Sequence, residues 1–60
     1  MNPSIPDLQQ QLIDKATKEH GPISSPHDKA LKDCFTIEDG KLLFWFNTNE
    51  KTTKLLIHPL

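Results

Sequence analysis

Five bulky apolar residues in succession, Leu42 to Phe46, follow closely on an Asp39-Gly40 pair in a chain of 60 residues that is otherwise polar. Asp-Gly is the strongest short signal for a two-residue β-turn, because that turn needs positive φ at both central positions. The run is therefore the second arm of a hairpin. The turn sets the register: Glu38 opposite Lys41, Ile37 opposite Leu42, Thr36 opposite Leu43, Phe35 opposite Phe44 and Cys34 opposite Trp45. Opposite charges beside the turn favour the same pairing. A strand covered on one side needs only every second residue to be apolar. The unbroken run thus predicts a strand with apolar side chains on both faces.

Downstream, Asn47 to Lys54 reads as a second hairpin in which Thr48 faces Thr53 around a loop of Asn49 to Thr52. Trp45 then faces Leu56 and Phe44 faces Ile57. Both registers together place Phe35, Ile37, Leu42, Phe44, Phe46, Leu55 and Ile57 on one side of a three-stranded meander. The other side carries one row of Cys34, Trp45 and Leu56 and another of Thr36, Leu43 and His58, with Glu38 and Lys54 at the margin.

The N-terminal third supplies a cover. Ile5, Leu8, Leu12 and Ala16 recur at spacings of three and four, with Ile13 widening the stripe and Gln9, Gln10, Asp14, Lys15 and Lys18 on the opposite side. A helix over about 5–20 is predicted, capped by Ser4, with Asp7 in the first turn, Pro6 where its missing N–H is harmless, and Gly21-Pro22 as the stop. A helical turn or two is predicted over 26–33, because Ser25, Pro26 and Asp28 occupy the cap, first and third helical positions. Strands are expected over 34–38, 41–48 and 53–58. The fold class is α+β: an N-terminal amphipathic helix, a short helical turn and a three-stranded antiparallel β-meander with the helix on one face. No internal repeat or linker divides the chain, so a single small domain, 1–60, is expected.

Composition excludes several function classes. Seven basic residues against eight acidic ones leave a net charge of −1, which offers no footprint for a phosphate backbone, so nucleic acid is not an expected partner. No window approaches the apolar length of a membrane span. The lone Cys34 cannot form an intramolecular disulfide, and the first residues lack the charged segment and apolar run of a signal peptide, so the expected location is the cytoplasm. At this length folding buries only ~60% of the surface of the unfolded chain, which leaves a thin core.

No motif for chemistry stands out. His20, His27, Cys34 and His58 form a ligand inventory suitable for zinc, but none are paired over two to five residues as zinc motifs usually are. Cys34 has no evident base and orienting group. Glu38 and Asp39 sit at a hairpin tip, and Asp39 is explained by the turn. A non-enzymatic protein without a cofactor is expected. Its candidate surface is the outer sheet face, Leu43, Trp45 and Leu56 flanked by Thr36, His58 and Cys34, which has the apolar centre and polar rim of a protein–protein interface. The expected partner is another protein or a second copy of the chain. In the competing arrangement the 22–33 segment or the C-terminal tail folds over Trp45. The alternative function is a small metal- or ligand-binding regulatory domain that uses Cys34 and the histidines.

Overall fold

A computed structural model describes residues 4–60. Helix α1, Ile5–His20, is followed by two single 3-10 turns, Pro26–Asp28 and Leu31–Asp33, and then by strands β1, Phe35–Glu38, β2, Lys41–Asn47, and β3, Thr53–Pro59. The strands form one antiparallel sheet in the order β1-β2-β3, so the architecture is α+β.

Helix α1 starts where its cap dictates. Ser4 is extended, and its hydroxyl accepts a 3.4 Å hydrogen bond from the Asp7 N–H, while Pro6 lies in the first turn. It ends at Gly21, whose φ of 76° only glycine adopts at no steric cost and whose N–H donates to the Thr17 carbonyl at 2.8 Å. The buried side of the helix is Leu8, Leu12 and Ala16, which join Leu42, Phe44 and Phe46 in a single core cluster. Phe44, Phe46 and Leu42 are the most deeply buried large side chains, at 0–1% exposure. Each contributes roughly 1.5–3 kcal/mol on leaving water. Phe35 stacks on Phe44 with ring centroids 4.3 Å apart. Ile37 lies on this same side of the sheet, opposite Leu42, yet is 56% exposed, so the core does not extend over it.

The first hairpin has the register that Asp39-Gly40 predicts: Phe35 opposite Phe44, Thr36 opposite Leu43, Ile37 opposite Leu42 and Glu38 opposite Lys41. Asp39 and Gly40 adopt φ of 50° and 71°. Beyond the end of β1, Trp45 N–H donates to the Cys34 carbonyl at 3.0 Å, and Ser24 and Asn47 exchange two further bonds on the same edge.

The second hairpin differs from expectation by one residue. Phe44 faces Leu56, Trp45 faces Leu55 and Leu43 faces Ile57. Its loop has three residues, Asn49 to Lys51, rather than four. Thr48 N–H donates to the Thr52 carbonyl at 2.9 Å, and Lys51 N–H donates to the Thr48 carbonyl at 2.9 Å. Lys51 is left-handed, φ 62°. This is a type I turn closed by a left-handed residue, the usual three-residue hairpin loop. Side chains reinforce it: Thr52 N–H donates to Thr48 Oγ1 at 3.3 Å, and the Thr53 hydroxyl donates to Asn47 Oδ1 at 2.6 Å. Because side chains alternate with a period of two, the slip turns β3 over. Leu56 and His58 belong to the helix-covered face, and Leu55 and Ile57 to the outer one, the reverse of the sequence expectation.

The helical turn or two expected over 26–33 is present as the two 3-10 turns, but without the Ser25 cap. His27 and Asp28 have left-handed φ of 59° and 55°, and Lys29 and Ala30 are extended between the two 3-10 turns. The Ser25 hydroxyl does not cap a helix; it donates to the Lys29 carbonyl and closes a loop in its place.

Candidate interaction face

The outer face of the sheet is built from the alternate residues of its strands. In the β2–β3 ladder, the Thr48–Thr52 and Gly40–Leu60 hydrogen bonds bracket the pairing. By alternation, Leu43 with Ile57 and Trp45 with Leu55 are then the non-hydrogen-bonded pairs, in which side chains approach most closely. The four residues form one apolar block. Leu43 is half-buried, whereas Trp45 is 42%, Leu55 40% and Ile57 54% exposed. The rim is polar: Glu38 and Lys41 face each other at one end, Asn47 and Thr53 at the other, and exposed Thr36 stands opposite Leu43.

Two residues assigned to this face from the sequence lie elsewhere, and a third is buried beside it. Leu56 packs against the core, and His58, opposite Leu42, is half-buried on the helix side; both follow from the register slip. Cys34 stays beside Trp45 and Thr36, where it lines a cleft with them, but is only 6% exposed and joins the core cluster. Its thiol donates to the Ala30 carbonyl at 3.4 Å, and desolvation pushes its pKa above the ordinary value, which disfavours a nucleophilic thiolate. Leu43, Trp45 and Thr36 stand where the sequence places them. Leu55 and Ile57 were missed, because a left-handed Lys51 leaves no glycine or asparagine signal for the shorter loop.

The segment before β1 flanks Trp45 without burying it. Pro26, His27, Lys29 and Asp33 border a cleft of about 250 Å³ that also touches Trp45 and Thr53. The 22–33 segment therefore forms a wall beside the indole.

The four residues of the zinc inventory are not gathered. The His20 ring lies 5.6 Å from that of Phe46, with Glu19 Oε2 3.9 Å from its Nε2, and His27 is exposed in its left-handed loop. His58 lies in β3, and Cys34 immediately before β1. Among the described residues, no group of three His, Cys, Asp or Glu side chains could hold a metal ion. No helix among them is long and apolar enough to cross a membrane. No family model, curated protein or solved structure matches the chain.

Proposed function

We propose that the chain is a non-enzymatic interaction subunit whose outer face, Leu43, Trp45, Leu55 and Ile57, docks against the same face of a second copy. The observation that carries this is the register of β3. A one-residue shift would turn Leu55 and Ile57 toward the core and expose only Leu56, yet the three-residue loop holds the opposite arrangement, with both outside. A lone chain gains no burial from that choice. Association recovers it, at roughly 25 cal/mol for each square ångström of apolar surface removed from water.

A second copy suits this face. The strip has no charge at its centre, and its rim carries one acid and one base side by side, so two rims meet without a net like charge. Trp45 sits within the strip, as the aromatic anchors of interfaces do. Pairing would also thicken a core that a chain of this length cannot make large. The single buried thiol suits a reducing compartment, and we place the protein in the cytoplasm.

Sedimentation velocity over a range of concentrations tests the reading. Wild type is expected to dimerise, with its indole emission shifting to the blue as it does. Trp45→Ala should sediment as a smaller species than wild type with an unchanged far-ultraviolet spectrum, and Ile57→Ser should weaken association in the same direction. A wild type that stays monomeric, or a Trp45→Ala variant that associates as well as wild type, overturns it.

A further inference from the structure

We propose that β3 is an intermolecular pairing edge. Two copies of the chain join antiparallel through this strand, about a two-fold axis at Leu56, into one continuous six-stranded sheet. This rests on the reading that the chain self-associates, but it uses backbone groups rather than the side chains of the Trp45 strip.

The hydrogen bonds that bracket the second hairpin, Thr48 to Thr52 and Leu60 to Gly40, put Lys54, Leu56 and His58 in register to bond β2. Alternation then directs the N–H and C=O groups of Thr53, Leu55 and Ile57 away from the sheet. No strand among the described residues pairs with that edge. Monomeric proteins blunt such an edge with lysine, proline, bulges or shortness. Here β3 runs for seven residues, and the two blunting residues, Lys54 and Pro59, lie near its ends. Leu55, Leu56 and Ile57 between them carry no such protection.

That short stretch is complementary to itself. With Leu56 opposite the partner's Leu56, Leu55 exchanges N–H···O bonds with the partner's Ile57, and Ile57 does so with the partner's Leu55. Thr53 N–H reaches the partner's Pro59 carbonyl, and this register asks no N–H of Pro59. Lys54 falls opposite the partner's His58, so the two lysines do not face each other. The pairing closes on two copies, because it consumes the same edge in each. The far edge offers no equivalent route to open-ended growth: β1 has four residues against the seven of β3. The union lays the two outer strips side by side on one surface, so the contact through Trp45 would then join one pair to another.

Amide exchange read by NMR tests this on the wild-type protein. In a monomer the Leu55 and Ile57 amides have no partner and exchange freely. On raising the concentration through the association range they should become protected by at least about tenfold, as ladder amides are. A sample mixing labelled and unlabelled chains should show an intermolecular contact between Leu56 Hα protons. Unprotected Leu55 and Ile57 amides in a sample shown by sedimentation to be associated overturn the proposal, as does a chain that stays monomeric. If Trp45→Ala retains the protection and associates as far as wild type, the edge stands and the face contact falls; if it retains the protection but forms only the edge pair, both stand. If that variant is monomeric while wild type associates with both amides unprotected, the face stands and the edge falls.

Discussion

Lys51 holds a backbone conformation that its side chain disfavours. At φ 62° its Cβ crowds the neighbouring carbonyl, a penalty of roughly 1–2 kcal/mol for an L-residue, whereas Asp39 at φ 50° is of a type that tolerates the left-handed region. The three-residue loop requires that conformation, and Lys51 is exposed, so only the backbone is at issue. Replacing it by glycine removes the crowding but adds unfolded-state entropy, a loss of about 0.5–1 kcal/mol. The balance favours the variant. Lys51→Gly is expected to stabilise the fold by roughly 0.5–1 kcal/mol, seen as a higher urea midpoint with an unchanged slope. A lower midpoint would show that the loop does not depend on a left-handed residue there.

Across the elements, the sheet is asymmetric in how firmly its registers are announced. Cross-strand Hα contacts in NMR spectra should join Trp45 to Leu55 and Leu43 to Ile57; a contact joining Trp45 to Leu56 would restore the four-residue loop and return Leu56 to the outside. The bounds of α1 and the whole first hairpin are legible in the chain because their signals are local and chemically matched to their positions: Ser4 at the cap, Gly21 at the stop, Asp39-Gly40 at the turn. The second hairpin is legible only as a hairpin. Its deciding position is filled by Lys51, which advertises nothing, and the supporting Thr48 and Thr53 hydrogen bonds exist only once the loop has closed. Apolar pattern alone then favours the register that buries two residues over the one that buries Leu56. The Ser25 cap is misread for a related reason, since Ser25 can serve either as a cap or as a loop clasp and nothing nearby in the sequence decides between them. Consequently the candidate face is legible at Trp45, Leu43 and Thr36 on β2 and β1, and misread wherever β3 contributes to it.

For the molecule as a whole, the proposed self-association would make stability a property of concentration. Association that is specific to the folded state adds to its free energy by mass action. Thermal midpoints of the wild type should therefore rise with protein concentration, and those of Trp45→Ala should rise less steeply; a wild-type midpoint independent of concentration, measured by calorimetry, would show that folding and association are not linked. The strand order has a consequence for how this state is reached. Since β1, β2 and β3 are neighbours in the sheet as they are in the chain, each hairpin closes over a short loop. The docking of α1, the Ser24–Asn47 bridge and the contact of the Pro26–Asp28 turn with β2 span longer stretches of sequence. Low contact order of this kind goes with fast folding. The sheet, with its bare edge and apolar strip, is thus built from pairings within a single chain, and the proposed partner would meet a surface already formed.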